Sequence, residues 1–170
     1  YREYDKAKEK FHKIVDHDKY NLEAVSNLGE LYYRSGQFEK SLTIVKDGLK
    51  IDTYHPSLNY IAGINYKALN DNLNSKESLG WAARSIKYRS NAYSQIADIF
   101  LKEKQFNRAI EYAKKSLEFN IKNIPSIEII AISNRYLKKN IEHKKTIQKL
   151  EELDPINHII SFEKYIIDPN

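Results

Sequence analysis

The sequence predicts an all-α chain, a solenoid of stacked helical hairpins. Three observations carry this reading. The 34 residues from Ser90 to Asn123 read as two amphipathic helices joined by a short turn. Tyr93, Ile96, Ala97 and Phe100 fall on one face of the first helix, and Ala109, Ala113 and Ser116 on one face of the second, at the three- and four-residue spacing of an α-helix. Steps of 34 residues then place Gly29, Gly63, Ala97 and Ala131 in one column. The flanking columns hold Leu28, Ala62, Ile96 and Ile130 on one side and Tyr32, Tyr66, Phe100 and Asn134 on the other. A recurring small residue is what two closely crossing helices require, because a larger side chain would force strain into a packed contact.

This pattern resembles the tetratricopeptide repeat, W-x2-L-G-x2-Y…A-x3-F…P with a period of 34. The resemblance implies helical hairpins wound into a right-handed superhelix. It also implies a concave face lined by the first helix of each hairpin, and binding without catalysis.

Composition agrees with a repeat array. The 170 residues are long enough for four and a half units, each touching only its neighbours. A hydrophobic fraction of 41% with 30% charged residues excludes a disordered tail. No apolar run reaches the length of a membrane span, and the N-terminal residues do not read as a signal peptide. The chain has no Cys, which excludes disulfides and thiolate chemistry and leaves the compartment undecided. It has no Met either, so it reads as a piece of something larger.

Residues 1–21 match the second helix of a repeat whose first helix is missing, with Ala7 in phase and Phe11 and Ile14 expected on an uncovered surface. Residues 22–55 form the first full repeat, where Ser35-Gly36 ends one helix with a glycine suited to the left-handed C′ position. Residues 56–89 are the irregular repeat. Its second helix is expected over Ser75 to Tyr88, with Ala82 and Ser85 in the large and small slots. That register sets Leu73 before the helix as Phe38 and Phe106 are set, adds about three residues to the polar turn, and leaves Ser90 to cap the next helix. The alternative register uses Leu79 and Ala82. Residues 90–123 and 124–157 are the third and fourth repeats, the last closing at Pro155. Residues 158–170 form a capping or junction helix, because Lys164 falls where Leu28 and Ile96 fall. Segments such as Leu79-Gly-Trp-Ala-Ala-Arg-Ser85 and Leu153-Asp-Pro-Ile-Asn-His158 also resemble large bacterial repeat proteins that carry a domain similar to sugar-processing enzymes.

Chemistry finds little purchase. The five histidines, at 12, 17, 55, 143 and 158, have no zinc-ligand spacing, and His143 stands in a slot that holds Ala7 and Ala109 in other copies. No glycine-rich phosphate loop is present. The reading is therefore of a non-enzyme with no cofactor and no metal. The net charge of +5 raises nucleic acid as a partner, but the first-helix stripe sets Glu23, Glu30, Asp98 and Glu128 against Arg34, Lys67, Lys102 and Arg135, a poor phosphate track. The helix dipole alone favours acids early and bases late in a helix. The candidate partner-binding residues are Tyr33, Arg34, Tyr60, Ile64, Lys67, Leu101, Arg135 and Tyr136. The large side chains among them lie outside the core columns, and exposed aromatics with arginines are what an interface anchor requires. In chaperone-binding members of the family a carboxylate clamp uses Lys, Asn and Arg. Ser26, Glu30, Ser57 and Ile61 at corresponding positions do not match it. The expected partner is a protein, a peptide or an adjacent domain. A structural spacer in a carbohydrate-related protein and a nucleic-acid-binding repeat are the alternatives.

Overall fold

The computed structural model describes residues 2–167, with the side chains of 4–166. Those residues form ten helices and no strand: α1 (Arg2–His17), α2 (Leu22–Arg34), α3 (Phe38–Ile51), α4 (Pro56–Ala68), α5 (Asn72–Ala82), α6 (Ile86–Lys102), α7 (Phe106–Phe119), α8 (Ile124–Tyr136), α9 (Asn140–Leu153) and α10 (His158–Ile167). They fall into two compact units, residues 1–88 and 89–170, the division lying within α6. No described helix is long and apolar enough to cross a membrane.

Local chemistry sets the helix ends. Asn21, His55, Asp71 and Asn123 each accept a backbone N–H of the first turn that follows, at the starts of α2, α4, α5 and α8. Four turns share one geometry at the 34-residue period. Gly36, Asn70, Lys104 and Lys138 adopt φ of 72°, 62°, 59° and 56°. The next residue in each, from Gln37 to Lys139, donates its N–H back to Tyr32, Tyr66, Phe100 or Asn134. This left-handed reversal suits glycine, yet two of the four positions hold lysine, which costs about 1–2 kcal/mol. Lys104→Gly and Lys138→Gly are each expected to raise stability by roughly 0.5–1 kcal/mol, since glycine relieves that strain at some entropic cost. A urea titration checks this, and unchanged midpoints would mean that the turns carry no strain.

In the first unit, Val25, Leu42, Val45, Leu58, Ile61 and Ala62 form the core. Gly29 lets α3 approach α2 so closely that a Cβ there would stand 2.6 Å from Val45 Cγ2. Ser41 on α3 donates from Oγ to the Gly29 carbonyl at 2.6 Å. The next hairpin repeats the arrangement: Ser75 on α5 donates to the Gly63 carbonyl at 2.7 Å, and Leu79 fills the space that a Gly63 Cβ would need. In the second unit His143, two periods beyond Ser75, places Nδ1 at 2.9 Å from the Ala131 carbonyl. That histidine is 1% exposed, and a carbonyl partner requires Nδ1 to carry the proton. Ile127, Ala131, Ile147, Leu150 and Ile160 form the core of this unit.

The register expected for the second helix of the irregular repeat is corrected. Leu79 and Ala82, not Ala82 and Ser85, take the large and small slots, and Ser75 matches Ser41 at the unbroken period. Asp71 caps α5 by accepting the Asn74 N–H, which fixes the start at Asn72 and leaves Leu73 76% exposed. The turn therefore has no extra residues. The irregularity lies at the other end. α5 stops after 11 residues, and Ala83, Arg84 and Ser85 bond back to Leu79, Trp81 and Ala82 in a tight turn. Arg84 lays its guanidinium 4.1 Å from the Trp81 ring. α6 then begins at Ile86, so Ser90 sits inside a helix, where its Oγ meets Ser116 Oγ at 3.0 Å, and caps nothing.

Candidate functional site

The first unit gathers five of the eight candidate residues on two first helices. α2 carries Tyr33 and Arg34, and α4 carries Tyr60, Ile64 and Lys67. Neither tyrosine ring stands alone. Tyr33 meets Phe38 with ring centres 5.5 Å apart and planes tilted by 51°. Tyr60 is half-buried and stacks on Tyr88 at 5.2 Å and 28°. Burial raises the Tyr60 phenol above its ordinary value, and the nearby Tyr33, Glu30 and Tyr88 reinforce the shift. Tyr60 thus stays neutral and keeps its O–H as a donor through the physiological range. Arg34 donates from Nε and its terminal nitrogen to Glu30 Oε1 at 2.9 and 2.6 Å, and that bond raises its pKa. Ile64 and Lys67 are half-buried on the same helix.

Sequence reasoning missed Tyr88. The mistaken register placed it at the end of a second helix, whereas the early start of α6 brings it under Tyr60. The composition of the turn, with Ser85 ahead of Ile86, was the available signal.

The second unit holds Leu101, Arg135 and Tyr136. Leu101 is half-buried near the end of α6. Tyr136 stacks flat on Phe106, with centres 4.7 Å apart and planes within 5°. Arg135 lies 4.4 Å from the Tyr136 ring and donates from Nε to Glu163 Oε2 at 2.8 Å. Burial lowers the affinity of this guanidinium for its proton, and the bond to Glu163 outweighs that, so the net direction is upward. Glu163 is 1% exposed, so Arg135 serves first to seat α10 on the unit. Lys164, the next residue of that helix, bonds both oxygens of Glu151 at 2.9 Å.

The charged stripe is largely internally paired. Glu30 holds Arg34, Asp98 holds Lys102 at 3.0 Å, Glu163 holds Arg135, and Glu128 accepts from Asn157 at 2.7 Å. Among the described residues, no group of three or more His, Asp or Glu side chains is placed to hold a metal ion. His12 places Nε2 at 2.7 Å from the Tyr32 hydroxyl, and His55 caps α4.

The tetratricopeptide repeat profile matches residues 2–57. These hairpins and that match decide the assignment. The fold is that of the tetratricopeptide-repeat family. Solved structures agree along the chain. MamA superposes with a TM-score of 0.81 at 20% identity, covering 89% of each chain. YrrB, a tetratricopeptide-repeat protein with an unusual peptide-binding site, gives 0.75 at 17% identity over 94% of this chain and 84% of its own. PilF of Pseudomonas aeruginosa gives 0.73 at 17% over 88% of this chain and 68% of its own. No curated protein sequence matches. At these identities the likeness describes the tetratricopeptide fold.

Proposed function

We propose that the first unit is a non-catalytic protein-interaction module that holds a peptide or a helix against the first-helix face of its tetratricopeptide repeats. The observation that carries this reading is the convergence of Tyr33, Tyr60 and Tyr88 from three different helices, two of which also carry Arg34 and Lys67. Tyrosines held in place by packing present a large contact area at low entropic cost, which is why such residues dominate interface hot spots. An apolar anchor with a neighbouring acid is the matching ligand. YrrB, a structural neighbour, has a peptide-binding site, which supports a peptide here. Nucleic acid fits poorly, because Arg34 and Lys102 pair with acids on their own helices and Arg135 pairs with Glu163 of α10.

Tyr60→Ala is expected to lose about 2 kcal/mol of ligand binding with helicity unchanged. Lys114→Ala, on the exposed face of α7, is expected to change nothing. Peptides selected on the immobilised protein, then titrated against both variants, provide the measurement. Equal affinity for Tyr60→Ala and the parent would move the site away from this shelf. Failure to select any peptide would favour a spacer role within a carbohydrate-related protein, in which these rings pack only against neighbouring structure.

A further inference from the structure

A groove of about 300 Å³ lies between α1 and α3, with Val25 of α2 at its base and Val15, Ile44 and Ile51 along its sides. Its walls and base come from three consecutive helices of the first unit. The repeat period allows a direct comparison with the groove one copy on. There Asn59, Ser78 and Ser85 stand in place of Val25, Ile44 and Ile51, and Trp81 of α5 stands in place of Asp47. The Trp81 ring rests against Tyr54 with centres 4.5 Å apart. Tyr20, the counterpart of Tyr54, is 78% exposed. Compared with its copy, the groove beside α1 is more apolar and lacks the indole cover. The period also separates it from the seat of a first helix. α2 is seated on Phe38, Ser41 and Val45 of α3, and the same positions of α1 are Tyr4, Ala7 and Phe11, none of which lines this groove.

We propose that this groove binds an aromatic side chain carried on a basic segment of another protein, the ring against Val25 and Ile44 and the cation beside Asp16. The ring follows from the copy, where an indole closes the same place. The charge follows from the rim. Asp16 and Asp47 border the groove, whereas the next copy has Lys50 and Trp81 at those positions. Asp47 holds Lys50 at 2.6 Å, while Asp16 makes no ion pair among the described residues. Lys19 is the opposing base. Both α1 and α3 end here, at His17 and Ile51, so their terminal carbonyls add partial negative charge. This rim runs against the net charge of +5 of the whole chain, and its preference is opposite to that of the tyrosine shelf, which suits an acid.

The probe is a labelled, end-blocked peptide of residues 79–85, Leu79-Gly-Trp-Ala-Ala-Arg-Ser85, which carries an indole and a guanidinium three positions apart. It is titrated against the intact chain by fluorescence anisotropy. Saturable binding is expected, weakening as salt rises. Peptides carrying Trp81→Ala or Arg84→Glu should each bind about tenfold more weakly or worse. The same loss is expected for two protein variants. Asp47→Trp covers the groove with the side chain that its copy uses, and Asp16→Lys reverses the charge at the rim. Both positions are exposed, so circular dichroism should match the parent. Tyr60→Ala should bind the probe like the parent, which separates this site from the tyrosine shelf. Absence of saturable binding by the parent, equal binding of the Arg84→Glu peptide, or retention of binding in Asp47→Trp overturns the proposal. Loss of binding in Tyr60→Ala also overturns it, by placing the peptide on the shelf. Self-association of the intact chain that Asp47→Trp abolishes overturns it as well, because the occupant is then a second copy.

Discussion

Gly63→Leu is expected to lower stability by about 2–4 kcal/mol, combining overpacking with the loss of one buried hydrogen bond. A Cβ at this position would stand 2.6 Å from Leu79 Cγ, 2.8 Å from its Cδ2 and 3.2 Å from its backbone nitrogen. Leu79 is fully buried, so a change of rotamer alone does not clear the clash, and the backbone of α5 has to retreat. Retreat pulls Ser75 Oγ away from the Gly63 carbonyl. Against a total of roughly 5–15 kcal/mol for a folded domain, this is a large fraction. Urea unfolding followed by circular dichroism measures it. Gly80→Ala is the control on the same hairpin. Gly80 is an exposed glycine within α5 with nothing near its Cβ position, so alanine should add roughly 0.5–1 kcal/mol. A parental midpoint for Gly63→Leu would show that the hairpin does not cross there.

The second large effect is expected from Arg135→Ala. It leaves the Glu163 carboxylate buried beside His143, whose Nε2 lies 3.7 Å away, beyond hydrogen-bond reach. Removing one partner of a buried pair costs about 3–5 kcal/mol, because the other charge remains out of water. The side chain of Arg135 is 21% exposed, which favours the lower end of that range. The molecule has a cheaper escape than global unfolding: α10 can leave the unit and carry Glu163 into solvent. The expected result is therefore faster amide exchange throughout α10, while α8 and the core around Ile147 and Leu150 keep their protection. Adding Glu163→Leu to Arg135→Leu should recover much of the loss, since an apolar pair carries no stranded charge. Parental exchange in Arg135→Ala would mean that α10 is held by Ile160 and Lys164 alone.

Much of this fold was legible because the residues that set it recur. Gly29, Gly63, Ala97 and Ala131 mark the crossings by size alone, and Gly36 announces its turn by its stereochemistry. The second hairpin was misread where the cues turned local and competed. Leu73 looks apolar enough to stand for Phe38, whereas the polar Asp71, by accepting a backbone N–H, decides where α5 begins. That error hid Tyr88, and with it the partner that makes Tyr60 a supported platform. The pairing of Arg135 with Glu163 was out of reach for a different reason. It joins residues 28 positions apart on α8 and α10, and α10 no longer follows the period. A periodic argument reads what is copied and is blind to what each copy adds.

The close crossings also bear on how such a chain can evolve. Gly29 faces Val45 and Gly63 faces Leu79, while Ala131 shares a core with Ile147. In each case the two residues lie 16 positions apart on opposite arms of a hairpin. Enlarging either one requires the other to shrink or the arms to part, so neither position can drift alone. The hydrogen bonds from Ser41 and Ser75 end on backbone carbonyls, which no substitution removes. Substitution at the donor therefore leaves the acceptor in place, as Ala109 and His143 show, although Ser41 also accepts from Asn65 of the next hairpin; substitution at a crossing commits two sites at once. Among homologues, co-substitution should concentrate at the 16-residue separation, with the intervening surface varying freely.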